Sequence, residues 1–202
     1  MNAQNLINNY SNLINSYSKA STTNKIQIKN QLLSIFNEAN HVDFNNLNVS
    51  IKGYFYLFLG LDVNNKLHAI LVHNSTTPDI TQIDKYSPIV LEFKSNKFVV
   101  NELLKTKLTA DNTEITFDEY KKRVKKWENQ KESWLQDALD RNIMIQYFII
   151  DQANLKNNMN NYTVFGLFEN STAQKGQSIT IDMITANDAY MDRVRPVPPF
   201  RP

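Results

Sequence analysis

The chain contains no cysteine and only four glycines among its 202 residues. The lack of cysteine excludes disulfides, a thiolate nucleophile and cysteine-ligated zinc. The glycines do not have the spacing of a dinucleotide-binding loop or a Walker A loop, and the nucleophile elbow of α/β-hydrolases and the His-Glu-x-x-His zinc motif are missing as well. The best-known catalytic motifs are therefore excluded.

The chain also lacks a long apolar segment. Its longest nearly apolar runs, Tyr54 to Leu61 and Ile143 to Ile150, are far shorter than the roughly 20 residues that span a bilayer. The N-terminal residues have neither the basic start nor the apolar run of a secretory signal. We therefore expect a cytoplasmic protein with no membrane contact. A net charge of +2 gives no general attraction to nucleic acid or anionic lipid.

Helical periodicity dominates the first 40 residues. Apolar residues recur at helical spacing along a first helix: Leu6, Tyr10, Leu13, Ile14 and Tyr17. Ser21 then offers an N-cap for a second helix that reaches Ala39. We predict a helical hairpin over residues 1–40, followed by a sheet-containing body over residues 50–190. Together they form one domain, residues 1–194.

Strand periodicity begins near Ile51, where the apolar pattern changes to a period of two. The Asp62–Lys66 turn then predicts a β-hairpin with Leu67 to His73. Further strands are predicted at Ile89 to Phe93, Phe98 to Val100, Ile143 to Ile150, Tyr162 to Phe168 and Ser178 to Thr185, with a short helix at Glu102 to Leu108. The fold class is therefore α+β, with a mainly antiparallel sheet of six or seven strands.

A long amphipathic helix is predicted from Phe117 to Asp140. Thr116 and Glu119 form a capping box at its start. One stripe of the helix is apolar: Phe117, Tyr120, Val124, Trp127, Trp134, Ala138 and Leu139. We expect this stripe, with the N-terminal hairpin, to pack on the sheet.

Five cations lie on this helix between Lys121 and Lys126. They could contact phosphates while nearby aromatic rings stack on bases. A weak nucleic-acid binder is therefore the third of three functional hypotheses, after the two that are described below. The alternative is a solvated helix face whose charges are balanced by Glu128 and Glu132. The apolar stripe favours the solvated face, because it turns the aromatic residues toward the core.

Three histidines and three aspartates are the candidates for chemistry. His68 and His73 are five residues apart on one strand, so they point to opposite faces and cannot share a metal. Asp62 and Asp182 could form an acid/base pair or an Mg²⁺ site if their hairpins were neighbours. That arrangement, an enzyme or small-ligand binder with a carboxylate-lined site, is the alternative function. Our main prediction names no catalytic residue, no cofactor and no metal.

Two similar stretches surround Gly60 and Gly166, each on the first strand of a predicted hairpin. They are typical either of a duplicated helix-then-hairpin unit or of close packing contacts that need no duplication. The sequence leaves both open.

The last eight residues hold four of the six prolines. We predict that residues 195–202 form an extended arm in polyproline II conformation, because proline fixes φ and donates no hydrogen bond. The arm could pack on its own domain, on a second copy or, through a basic-x-x-Pro-x-x-Pro pattern, on a foreign protein. The candidate interaction residues are Arg195, Pro196, Pro198, Pro199 and Phe200. The favoured function is a non-enzymatic interaction or assembly protein that self-associates.

The second half of the chain resembles short bacterial proteins that end in an aromatic-Asp and a Pro-Pro-aromatic pattern. The matching residues are Tyr190-Met191-Asp192 and Pro198-Pro199-Phe200. The resemblance covers less than half of the chain and implies a bacterial source without implying an activity.

Overall fold

The structure, a computed structural model, describes residues 2–44, 54–95, 114–151, 162–169, 179–186, 190–191 and 195–197. The predicted strand at Phe98 to Val100 and the predicted helix at Glu102 to Leu108 lie outside these residues. The same is true of residues 198–202.

The described residues form three α-helices, a 3₁₀ helix and ten strands. The helices are α1 (Ala3–Lys19), α2 (Thr22–Glu38), α3 (Phe117–Asp140) and the 3₁₀ helix Ile80–Tyr86. The first five strands are β1 (His41–Asp43), β2 (Tyr54–Leu61), β3 (Leu67–Asn74), β4 (Ile89–Glu92) and β5 (Glu114–Ile115). The others are β6 (Tyr147–Asp151), β7 (Tyr162–Glu169), β8 (Ile179–Ala186), β9 (Tyr190–Met191) and β10 (Arg195–Val197).

The strands form two antiparallel sheets. Sheet A has the order β1-β7-β8-β9-β5, and sheet B has the order β10-β6-β2-β3-β4. The α+β class and the antiparallel pairing are therefore confirmed, whereas the prediction of one sheet of six or seven strands is wrong. Alternation identifies a strand without identifying its partners, and β1, β5, β9 and β10 are too short to show a period of two.

Side chains cap the three helices as their sequences indicate. The Asn2 side chain accepts a hydrogen bond from the backbone of Asn5 at the start of α1, and Ser21 accepts one from Asn24 at the start of α2. The predicted cap of α3 is confirmed, because the Thr116 hydroxyl accepts from the Glu119 N–H at 3.2 Å. Each cap satisfies an N–H that has no partner inside its helix.

The β2–β3 hairpin of sheet B is buried on both faces, which its nearly continuous apolar strands explain. One face packs against α1 and the 3₁₀ helix through Tyr56, Phe58, Ile70, Val72, Leu6, Ile7 and Ile83. The opposite face packs against α2, α3 and sheet A through Phe55, Leu57, Leu59, Leu71, Phe36, Trp127 and Phe165. The β2–β3 hairpin is thus the central layer of the molecule.

A backbone bridge between described residues joins the two sheets at one edge. The Lys94 N–H, just after β4, donates to the carbonyl of His41 in β1 at 2.7 Å, and the His41 N–H donates back to the Lys94 carbonyl at 3.4 Å. Beyond this contact β1 pairs with β7 in sheet A, whereas β4 pairs with β3 in sheet B.

The start of the proline-rich tail belongs to sheet B. β10 pairs with β6 in antiparallel register, Arg195 with Ile149 and Val197 with Tyr147. The expectation that residues from 195 onward form a separate arm is therefore corrected for residues 195–197. Proline is compatible with this position because an edge strand has one side with no partner strand, where a missing N–H costs little.

Gly60 allows α1 to lie close to sheet B. A Cβ atom at this position would be 2.5 Å from Cδ1 of Ile70 and 2.7 Å from Cβ of Leu6. The close-packing interpretation of Gly60 therefore has a structural basis, and the duplicated unit remains a hypothesis. Gly166 occupies the corresponding first strand of the β7–β8 hairpin in sheet A.

Substitution of Gly60 by alanine should destabilise the protein by about 1–3 kcal/mol, because the added methyl group overpacks the contact between α1 and β2. Chemical denaturation measures the loss. Ile70→Val removes the atom nearest to the new methyl, so the double variant should lose less stability than the sum of the two single variants. An additive result would contradict the proposed contact.

Substitution of Trp127 by alanine should cost about 3–5 kcal/mol, because this side chain is buried in the aromatic core. Lys125, on the same helix, is exposed, so Lys125→Ala should change stability by less than about 0.5 kcal/mol. Urea titrations of both variants measure the difference. Equal stabilities would show that α3 does not dock through Trp127.

Candidate functional site

A groove of about 560 Å³ lies between the C-terminal end of α2 and the β3–β4 end of sheet B. Its volume falls in the range of ligand-binding clefts. Its apolar lining comes from Ile35, Ala39, Leu67, Leu91 and Phe93, and its polar lining comes from Glu38, Asp43, Asn65, Lys66, Glu92, Lys94 and Ser95. We call this cleft the α2–β4 groove.

Two ion pairs line the groove. Lys66 Nζ lies 2.9 Å from Glu92 Oε1, and Lys94 Nζ pairs with a carboxylate oxygen of Asp43. Glu92 raises the pKa of Lys66, through a hydrogen bond first and charge attraction second. Glu38 is exposed and makes no ion pair among the described residues. The groove therefore combines an apolar floor with charges of both signs, and Glu38 adds to the negative charge that raises the pKa of Lys66.

One side of β4 has no partner strand among the described residues. The Phe93 N–H donates to Leu67 in β3, whereas the Lys94 N–H points the other way, to His41. Because backbone groups alternate in direction along an antiparallel strand, Val90 and Glu92 also point away from β3. No described strand pairs with them. Within the described residues, their N–H and C=O groups face the side of β4 that carries no partner strand.

Asp62 is used by its own turn. Its Oδ1 accepts hydrogen bonds from the backbone N–H groups of Asn64 at 2.8 Å and Lys66 at 2.9 Å. Burial raises the pKa of the Asp62 carboxyl, but these donors and the nearby His68 outweigh it, so the pKa lies below its ordinary value. The Asp62 carboxylate therefore stays ionised and stabilises the β2–β3 turn through these hydrogen bonds.

His68 lies beside Asp62 and is buried. Its Nε2 is 3.4 Å from Oδ2 of Asp62, too far for a well-formed hydrogen bond, and its Nδ1 has no hydrogen-bond partner among the described residues. His73 points to the opposite face of β3, as predicted, and its ring contacts that of Phe55. The histidines of β3 therefore do not form a joint site.

The two aspartates of the carboxylate-lined alternative lie in different sheets. Asp62 follows β2 in sheet B, whereas Asp182 lies in β8 of sheet A, opposite Gly166 of β7. No strand pairing within the described ranges joins the two hairpins. A shared site of Asp62 and Asp182 remains a hypothesis with no described contact behind it.

The cationic segment of α3 is partly neutralised by its own helix. Lys121 pairs with Asp118 at 3.1 Å, and Lys122 lies 3.6 Å from Glu119. Arg123 is buried, donates to Glu119 at 2.9 Å, and its guanidinium lies 4.4 Å from the ring centre of Phe168. The expectation that all five cations lie on a solvated face is therefore corrected for Arg123.

Glu132 also has a different partner from the one expected. It pairs with Lys29 of α2 at 3.0 Å, which ties α2 to α3. The sequence predicted that Glu132 balances the cations of its own helix, whereas its ion pair is with a different helix.

Sequence reasoning missed the α2–β4 groove. Its lining comes from α2, β1, the β2–β3 turn and β4, which are far apart in the chain. In the sequence, only two features point to this groove: the short apolar strand at Ile89 and the lysines that lie some residues before and after that strand.

Of the candidate interaction residues, Arg195 and Pro196 lie in β10, at the edge of sheet B opposite β4, and Pro198, Pro199 and Phe200 lie outside the described residues.

In the part of the chain that the structure describes, no group of three or more His, Asp or Glu side chains is arranged to hold a metal ion. No helix there is long and apolar enough to cross a membrane.

Acid should weaken the fold through Asp62. The pKa of Asp62 is lowered in the folded state. Its contribution to the free energy of unfolding is therefore complete above its ordinary pKa of about 4, and it is lost as the pH falls through the lower pKa of the folded state. Asp62→Asn should therefore show less loss of unfolding free energy between pH 5 and pH 2, measured by urea titration. His68→Gln keeps the backbone donors and should retain most of the acid sensitivity. Identical pH profiles for Asp62→Asn and the unmodified protein would contradict this role.

The chain matches no family model, no curated protein and no solved structure.

Proposed function

We propose that this protein is a non-enzymatic interaction protein that self-associates, and that the α2–β4 groove binds an extended polypeptide segment. One observation carries the proposal: the groove combines an apolar floor with the outward-facing backbone groups of Val90 and Glu92 in β4. An extended segment is the ligand whose own N–H and C=O groups match such an edge.

Each part of the groove has a task in this mode of binding. Main-chain hydrogen bonds to Val90 and Glu92 supply attraction that does not depend on sequence. Alternate side chains of an added strand point the same way, so every second one meets the floor at Leu91 and Phe93. The charges at the rim of the groove orient the segment and disfavour segments whose charges do not match them.

The residues on either side of β4 also limit indiscriminate pairing at its outer edge. Pro88 precedes the strand and provides no N–H, and Lys94 follows it with its backbone already bonded to His41. Short edges flanked by proline and lysine are a common defence against aggregation. Binding at β4 therefore depends on a segment that also fits the groove.

The other two hypotheses have weaker support from the described contacts. In the carboxylate-lined alternative, Oδ1 of Asp62 already accepts two backbone hydrogen bonds, and the lowered pKa of this carboxyl makes it a weak general base. In the nucleic-acid alternative, acidic neighbours in the first turn of α3 pair with Lys121 and Lys122, which weakens their pull on phosphate.

The proposal predicts a reversible dimer that depends on the groove. Leu91→Lys places a charge in the floor and should weaken dimerisation at least tenfold, a loss of about 1.4 kcal/mol. Ile26→Lys is the matched control, because Ile26 is 55% exposed on α2 and does not line the groove. Sedimentation velocity over micromolar concentrations measures both, with circular dichroism to check the fold. A strict monomer, or a dimer that Leu91→Lys leaves unchanged, would rule the proposal out.

A further inference from the structure

We propose that a cavity beside α1 binds a small, uncharged carbonyl compound whose oxygen accepts a hydrogen bond from the Tyr10 hydroxyl. The cavity has a volume of about 100 Å³ and lies between α1, the start of the 3₁₀ helix and the chain that joins α3 to β6. None of its described lining residues also lines the α2–β4 groove. This second site therefore does not depend on the function of the groove.

The cavity wall carries no charged side chain among the described residues. Its apolar part includes Ile14, Leu59 and Met144, and its polar part consists of hydroxyl and amide groups such as those of Ser11 and Asn15. A charged ligand would lose its hydration there without gaining a countercharge. The lining therefore favours an uncharged molecule with an apolar body.

The Tyr10 hydroxyl has no hydrogen-bond partner. Tyr10 lines the cavity and is only 3% exposed, and its hydroxyl oxygen is buried without a partner among the described residues. A buried donor in this state lowers stability, and a bound molecule that accepts its hydrogen bond recovers the loss. Burial also raises the pKa of Tyr10, so the hydroxyl keeps its proton and can donate it in a hydrogen bond. The ligand therefore carries an acceptor.

Hydrogen bonds hold two walls of the cavity in place. The Gln4 side chain donates to the Ile80 carbonyl at 2.8 Å and accepts from the Ile83 N–H at 2.9 Å, which fixes the 3₁₀ helix to α1. After α3, Asn142 has a positive φ of 52°, and its N–H donates to the Leu139 carbonyl at 3.1 Å. The cavity is therefore formed before a ligand binds, which lowers the entropic cost of binding.

The volume of the cavity limits the size of the ligand. A water molecule needs roughly 10–15 Å³ of such space, so about 100 Å³ accommodates a molecule of about six non-hydrogen atoms. Nucleotides and dinucleotide cofactors are too large for it. A carbonyl oxygen suits the site better than an alcohol, because it accepts from Tyr10 without bringing a second donor that needs a partner of its own.

Two tyrosines of α1 provide a matched test of the hydroxyl. Tyr10→Phe should leave the midpoint of urea unfolding unchanged or raise it, because the substitution removes a group that has no partner. Tyr17→Phe should lower the midpoint, because the Tyr17 hydroxyl donates to Asp140 at 2.7 Å and accepts from Gln136 at 2.8 Å. Equal losses in the two variants would show that the Tyr10 hydroxyl has a partner and would overturn the proposal.

Cyclopentanone is the probe for binding, because it has the expected size and a single carbonyl. In protein with isotope-labelled methionine methyl groups, cyclopentanone should shift the NMR signal of Met144, which Met144→Leu identifies by its loss. The dissociation constant should be on the order of 1 mM for so small a molecule. Tyr10→Phe should weaken binding about threefold to tenfold, because one hydrogen bond is lost. Cyclopentylammonium, which has a similar shape and a positive charge, should not bind at the same concentration.

Adjacent positions on α1 test the location of the site. Ser11→Phe adds a ring to the lining and should abolish the shift of Met144, whereas Asn12→Phe adds the same ring at an exposed position outside the lining and should leave it unchanged. Circular dichroism checks the fold, and Ile14→Phe replaces Ser11→Phe if that variant does not fold. Each of three results would overturn the proposal: no shift of Met144 with cyclopentanone, equal affinity in Tyr10→Phe, or equal binding by the two α1 variants.

Discussion

The ring of Phe165 is the contact on which the arrangement of the two sheets depends. It comes from β7 of sheet A and stacks on Phe93 at 5.2 Å, with the two planes 9° apart. It also meets Phe36 of α2 at 5.6 Å, Trp127 of α3 at 5.3 Å and Phe148 of β6 at 6.5 Å. Aromatic pairs at these separations add about 0.5–1.5 kcal/mol each beyond the area that they bury. One side chain thus links both sheets and two helices.

The groove is a consequence of this arrangement. Because Phe93 stacks on Phe165 just beyond β4, the end of sheet B is held against sheet A, and the His41–Lys94 bridge forms there. Among the described residues, the outer side of β4 has no partner strand before that bridge, and α2 ends beside it at Glu38. The result is a cleft with an apolar floor, a strand edge that has no described partner, and a rim of charged residues that are exposed or partly exposed.

Close packing and side-chain hydrogen bonds support the α1 side of sheet B. α1 crosses β2 at Gly60, and the Asn9 amide donates to the Leu61 carbonyl at 3.0 Å. The next residue, Asp62, uses its carboxylate to hold the turn into β3. Asp62 is thus explained by local structure, because an aspartate at the end of a strand satisfies backbone donors that the turn leaves without partners.

The sequence alone determined the local elements: the capped helices, the β2–β3 hairpin, the apolar stripe with Trp127 and the α+β class all follow from residue types at short spacing. Strand partners, the burial of Arg123 and the position of β10 were decided by tertiary structure, because each depends on residues far apart in the chain. The same reason applies to the groove. Glu38, Lys66 and Lys94 are ordinary surface residues in the sequence, and only the packing of α2 against the end of sheet B brings them to one cleft.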